Sequence, residues 1–307
     1  MAYLPEGMLI DKPENRAALS NISNLREAAG TEKILEARAI VCDINHNLIV
    51  DLNGIKGIIK REDGAIGIDD GTTRDIALIS RVNKPVCFVV TGFAKDGKGV
   101  ETVLLSRKKA QESCRKNYVD KFLPGDIICT RVTHLEPFGC FVDIACGIPS
   151  LIPIDSISVS RISHPGDRFA VGQDIYSVVK NVDENGKISL THKELLGTWE
   201  QNADRFCAGE TVSGIVRSVE SYGIFVELTP NLAGLAELKS NIKAGERASV
   251  YIKSIIPEKM KIKLFIVDSL ENDRIDYTYN YKYTHGRIRC WKYSPESSEK
   301  QVGTEFY

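Results

Sequence analysis

Apolar residues along this chain come in short alternating runs punctuated by Gly, Asn and Asp, a pattern of β-strands and tight turns. Two stretches repeat each other. Gly125 to Ile144 and Gly209 to Leu228 share the same order of aromatic, Gly, apolar, Phe, Val, acid and aliphatic residues, at a constant offset of 84 (Gly125 to Gly209, Phe141 to Phe225). Each copy continues with a short apolar run, Ser150 to Ile154 or Gly234 to Leu238. Two further β-rich segments close it: Gln173 to Val182 with Lys187 to Leu190, and Ala248 to Ile256 with Lys261 to Leu264. The later copy is ten residues shorter, in the connection before its fourth strand. A fainter copy precedes both, over Ala37 to Leu52, Gly57 to Ile59, Pro85 to Thr91 and Thr102 to Ser106. There His46 and Ile49 stand where the middle copy has Phe138 and Phe141.

Five short strands per copy leave exposed edges unless the sheet closes, and the five-stranded OB barrel is the common closure. The expected fold is all-β: three tandem OB-fold barrels, the first degenerate, with short helical linkers. The expected division is an N-terminal, partly helical extension over 1–30, barrels over 31–108, 120–193 and 205–268, and a C-terminal aromatic and basic extension over 269–307. Within 14–36, Leu19, Ile22, Leu25 and Ala29 are spaced as one helical face. Residues 107–121 and 194–206 read as connecting helices. Residues 277–293 alternate and read as a Tyr-rich β-hairpin around His285-Gly286. That segment either extends a binding surface or caps the last barrel by packing its rings. The final ten residues or so read as frayed.

Charge adds a second signal. The 307 residues carry a net charge of −1, which excludes a globally polycationic nucleic-acid binder. Yet residues 239–292 hold twelve basic against six acidic side chains, so cations gather toward the C-terminal third. In Glu258 to Leu264, alternation predicts Lys259, Lys261 and Lys263 on one strand face and Met260, Ile262 and Leu264 on the other.

The Phe-Gly-x-Phe-Val-Asp block (Phe138 to Asp143) resembles the S1-type RNA-binding domain. So do Ser163-His-Pro-Gly-Asp167 with Val171-Gly-Gln173, and Lys187-Ile-Ser-Leu-Thr-His-Lys-Glu194. The resemblance covers 120–193 and 205–268 well and 31–108 weakly. It implies OB barrels that lay RNA on one face, through two aromatics, a His, an Asp and a basic residue. In the middle repeat these positions fall on Phe138, Phe141, Pro153, Asp183 and Lys187. In the last repeat they fall on Tyr222, Phe225, Glu237, Pro257 and Lys261. The His is therefore missing from both copies and the Asp from the last, while ring pair and cation persist in both. The RNA-binding residues expected are Phe138, Phe141, Asp183, Lys187, Tyr222, Phe225, Lys259, Lys261 and Lys263. The first repeat, without rings, is expected to be structural or protein-binding.

Exposed rings stack bases and nearby cations neutralise phosphates, so this residue set suits single-stranded RNA with modest sequence preference. The expected function is non-enzymatic binding of single-stranded RNA, mRNA in particular, in translation and with the small ribosomal subunit as partner. An RNA-decay or transcription complex would use the same chemistry, and a protein-interaction scaffold of degenerate barrels is the rival of another class. No cofactor, metal or small-molecule substrate is expected: the chain has no Walker loop, dinucleotide-binding glycine pattern or H-E-x-x-H. Asp96-Gly-Lys-Gly99 reads as a turn, and Glu62-Asp63 with Asp69-Asp70 as surface acids. No run approaches the roughly 20 apolar residues of a membrane helix. Met1 to Leu9 lacks the basic and apolar blocks of a signal peptide. A cytoplasmic protein with free thiols at Cys42, Cys87, Cys114, Cys129, Cys140, Cys146, Cys207 and Cys290 is expected.

Overall fold

The computed structural model describes residues 3–95, 101–270 and 279–307. The 96–99 turn lies outside the described residues. The first barrel uses β1 (Leu35–Cys42), β2 (Leu48–Leu52), β3 (Ile55–Ile59), β4 (Pro85–Lys95) and β5 (Glu101–Ser106). The middle barrel uses β6 (Ile127–Glu136), β7 (Gly139–Ala145), β8 (Ile148–Pro153), β9 (Asp174–Val182) and β10 (Ile188–Thr191). The third uses β11 (Thr211–Glu220), β12 (Gly223–Thr229), β13 (Leu232–Ala236), β14 (Arg247–Ile256) and β15 (Lys261–Leu270). All three close in the same order: the first three strands in sequence, then the fifth, then the fourth beside the first. The third and fifth strands pair in parallel, as in Gly57↔Val103 and Leu235↔Lys263, and the other described pairs are antiparallel. Closure leaves no free sheet edge, as the strand count requires.

Alternation decides what fills each barrel. In β2, Leu48, Val50 and Leu52 point inward and are buried while Asp51 is exposed. In β15, Ile262, Leu264 and Ile266 are buried between exposed Lys261, Lys263, Phe265 and Val267.

The helical face expected over 14–36 is split between α1 (Pro13–Ala18) and α2 (Ile22–Gly30). Asn21 caps α2 by accepting a hydrogen bond from Asn24 N at 2.8 Å. Leu19, Leu25 and Ala28 join the first barrel's core with Leu35, Leu48 and Phe88, so this segment belongs to that core. After the short α3 (Ile76–Ile79), α4 (Arg107–Asn117) follows β5 and is capped by Ser106. Residues 194–206 hold a 3₁₀ turn (Lys193–Leu196) and then α5 (Trp199–Ala203), separated by Gly197 at φ +86°.

By internal contacts the chain forms two compact units, Met1–Phe122 with Asp143–Pro149, and Leu123–Val142 with Ser150–Tyr307. In the first, buried Glu6 accepts from Arg107 Nε at 2.7 Å and Arg81 Nη1 at 3.1 Å. Asp143 accepts from Glu6 N at 2.7 Å, and burial pushes its carboxyl up to about 7.

The C-terminal region departs from the expected hairpin. Residues 277 and 278 lie outside the described residues, and 279–289 contain no strand. The strand pair is instead β16 (Cys290–Lys292) with β17 (Gly303–Glu305). Most of the rings explain the difference: Trp291 and Tyr293 are buried and Tyr279 and Tyr281 half-buried against the barrels, while Tyr283 stays exposed. Tyr279 and Tyr281 stand edge-on to His192, at 5.1 and 5.5 Å between ring centres. Trp291 and Tyr293 enter the third barrel's core cluster. The final residues are not frayed either: Phe306 is buried with Val178 and Leu195. Thr304 donates to Glu194 at 2.8 Å. The eight cysteines are free thiols.

Candidate nucleic-acid interface

In the third barrel β11 and β12 are joined by a two-residue turn, Ser221-Tyr222, between paired Glu220 and Gly223. The turn carries Tyr222 to the rim, where it is 67% exposed. Gly223 is required because a Cβ there would sit 2.7 Å from the Ala236 carbonyl oxygen. The middle barrel repeats the device with Pro137-Phe138 and Gly139, whose Cβ would sit 2.6 Å from the Ile152 carbonyl oxygen. Phe138 is 56% exposed. Phe141 and Phe225, two strand residues on, are half-buried on the outer face. The ring centres of Phe138 and Phe141 lie 5.9 Å apart at 90°, and those of Tyr222 and Phe225 6.1 Å apart at 86°. Both barrels therefore hold an edge-to-face ring pair with one broad face open to solvent.

The surroundings differ. In the third barrel, register aligns Phe225 with Leu235 on β13 and Leu235 with Lys263 on β15. These side chains share one outer face, and with Tyr222, Lys253 and Lys261 they line a groove of about 630 Å³. Lys253 is paired with Glu237 at 2.7 Å. Lys259 does not share the strand face expected for it. It ends a 3₁₀ turn, Pro257–Lys259, and Met260 in the left-handed region (φ +48°) separates that turn from β15. The alternation begins only at Lys261.

In the middle barrel Asp183 and Lys187 are both exposed, but Asp183 serves its own hairpin. Its carboxylate accepts from Asn185 N at 2.9 Å and Lys187 N at 2.8 Å. His134, on β6, lies beside Phe141 with ring centres 6.5 Å apart, and its Nε2 is 2.7 Å from Glu136. Position counting looked for a His near Pro153 and so missed this one, which enters from the strand across the turn.

Phe265 and Tyr251 were missed as well. They are cross-strand partners on the outer face, exposed at 46% and 40%, and Lys253 Nζ stands 5.5 Å from the Phe265 ring centre. The signal was present, since the alternation that exposes Lys261 and Lys263 exposes Phe265 next. In the first barrel His46 and Ile49 occupy the equivalent positions and supply no ring pair of this kind.

The closing segment 187–194 plays a structural part. His192 is buried, with Nδ1 3.0 Å from the Ile157 carbonyl and Nε2 3.1 Å from Tyr281 Oη. Burial lowers its pKa to about 4, so it is neutral at pH 7. Arg287 is held by Asp126 at 2.6 Å, which ties the C-terminal segment to the middle barrel. Among the described residues no group of three or more His, Cys, Asp or Glu side chains could hold a metal, and no helix is long and apolar enough to cross a membrane.

Residues 121–193 match the family model described as the S1 RNA binding domain. The chain is 28% identical over 281 residues to a small ribosomal subunit protein bS1 of Leuconostoc lactis, covering 86% of this chain and 61% of that one. It is 32% identical over 179 residues to a bS1 homolog of Bacillus subtilis, covering 56% and 45%. The chain thus spans about half to three fifths of the length of these relatives. A crystal structure of a multidomain protein with nucleic acid binding domains from Streptococcus pneumoniae aligns with 80% of this chain and 76% of its own, at 14% identity and a TM-score of 0.24.

Proposed function

Proceeding from residues 121–193 as a member of the S1 RNA-binding domain family, we propose that this chain binds single-stranded RNA on the outer faces of its middle and third barrels. Phe138 with Phe141, and Tyr222 with Phe225, stack the bases. Lys261 and Lys263 neutralise phosphates in the third barrel, Lys187 does so in the middle one, and Lys259 adds charge from the neighbouring turn. The observation that carries this reading is the recurrence of one ring pair, at one turn, in two barrels with the same strand order. A base on such a ring contributes about 1–3 kcal/mol, and the contact tolerates any sequence because every base has a flat face. Two weak sites on one chain reinforce each other through effective concentration. Asp183 holds its own hairpin turn rather than the RNA. The RNA is mRNA, and the setting is translation on the small ribosomal subunit, in keeping with the relatives named bS1.

Fluorescence anisotropy with a labelled, unstructured oligonucleotide, read from about 50 to about 200 mM salt, tests the binding. The expected result is a clear negative slope of log affinity against log salt, with weaker binding when the rings are removed. Flat or absent binding overturns the reading in favour of a protein scaffold. Sedimentation of the chain with ribosomal subunits tests the setting, and absence from the small-subunit fraction removes it.

A further inference from the structure

A second cavity, of about 480 Å³, lies on the other side of the Tyr222–Phe225 pair. Tyr222, Phe225 and Ala233 line both it and the lysine groove, so the two form one trough that the rings divide. The far half is not built by the third barrel alone. Its wall includes Arg161 and Ser163, from the connection between β8 and β9 of the middle barrel. Arg161 is exposed, and among the described residues no hydrogen bond or ion pair fixes its guanidinium.

The connection is clamped to the third barrel on both sides of Arg161. On one side, Val159 N donates to Asn231 Oδ1 at 2.9 Å. On the other, Arg168 is buried in an ion pair with Glu227, a carboxylate that also takes Arg217 at 2.9 Å, while Arg217 reaches Asp167 at 3.6 Å. Ile162 is buried beside Arg161. Arg161 therefore sits on a segment held to the third barrel on both sides.

We propose that the third barrel's site is completed by the middle barrel. A single RNA strand runs from Lys261 and Lys263 across Tyr222 and Phe225, and Arg161 takes a phosphate on the far side. This proposal rests on the RNA-binding reading above. A guanidinium held at the end of a base-stacking trough meets the backbone of the next nucleotide, since bases and phosphates alternate along the strand. The two barrels thus grip one continuous stretch of RNA.

Anisotropy titrations of the full chain with an unstructured RNA of about a dozen nucleotides test this. Arg161→Ala is expected to weaken binding several-fold and to make the salt slope shallower by about 0.7, one single-strand phosphate contact. Arg161→Lys restores most of the slope, which a merely structural role would not produce. Arg205→Ala, an exposed cation lining neither half of the trough, leaves both values unchanged. If the wild type binds and Tyr222→Ala weakens it, but Arg161→Ala alters neither affinity nor slope, the composite site is overturned and the RNA-binding reading stands. If the wild type does not bind, both fall together.

Discussion

The middle and third barrels carry the same ring pair on the same turn, but their fifth strands end differently. Aligned on Lys187 and Lys261, His192 of the middle barrel matches Ile266 of the third. His192 is roofed by Tyr279 and Tyr281, and the strand end beside it is closed by Phe306. In the third barrel the same stretch stays open, with Phe265 and Val267 exposed next to Lys263. Moreover, the third barrel's rings open onto a trough on both sides. One strand order thus serves two ends: the middle barrel uses its last strand to anchor the tail, and the third keeps it as surface. Ring position is set by the turn before the second strand, but the charge beside the rings is set by the fifth strand, far away in sequence.

The largest expected effect separates the two barrels directly. Tyr222→Ala combined with Phe225→Ala removes two stacking rings at about 1–3 kcal/mol each, so RNA affinity should drop about thirty-fold or more. Phe138→Ala with Phe141→Ala should cost less, because Tyr222 and Phe225 share their groove with Lys253, Lys261 and Lys263. Matched anisotropy titrations decide, and a greater loss in the middle barrel would reverse the ranking.

Next comes the anchored end. The His192 pKa is about 4 in the folded protein and about 6.5 when unfolded, so on acidification the unfolded chain takes up the proton first. Its contribution to stability is complete above about pH 6.5 and is lost as pH falls toward 4, amounting to about 2 kcal/mol between pH 7 and pH 5. Asp143, raised to about 7, titrates in the opposite sense, so the His192 contribution is the difference between wild type and His192→Gln. Urea unfolding at the two pH values should show that difference. Equal pH dependence would mean that the imidazole is not sealed.

A smaller effect sharpens the charge contrast. Lys261→Ala with Lys263→Ala should make the salt slope shallower by about 1.4, and Lys187→Ala by about 0.7. Lys259→Ala, off the strand face, should change it least. The smallest effect concerns Asp183→Ala, which should cost about 1 kcal/mol of stability through its two turn hydrogen bonds while leaving the salt slope as it was. A slope change on that substitution would make Asp183 part of the RNA contact.

The sequence made the barrels legible because each strand's alternation is local and the repeat shows it three times over. The ring positions were legible for the same reason: a Gly demanded by close backbone approach marks the turn that exposes the ring before it. What escaped depends on contacts distant in sequence. Residues 277–293 alternate like a ribbon, but Trp291 and Tyr293 are buried in the third barrel's core cluster, worth about 1.5–3 kcal/mol for a large apolar side chain, and 290–292 pair with 303–305 instead. Lys259 was placed by starting the alternation at Glu258, inside the Pro257–Lys259 turn, whereas the strand starts at Lys261. No spacing rule brings Arg161 to a ring pair some sixty residues ahead, because a buried carboxylate, Glu227, holds that connection in place.

The tail that covers His192 also sets an order of events during synthesis. The middle barrel's strands emerge from the ribosome before the third barrel's, whereas Tyr281, Thr304 and Phe306 emerge after both. Until they arrive, Val178 and Leu195 lack Phe306, and His192 lacks the Tyr281 hydroxyl. The middle barrel therefore gains its last packing partners only after its neighbour has been translated.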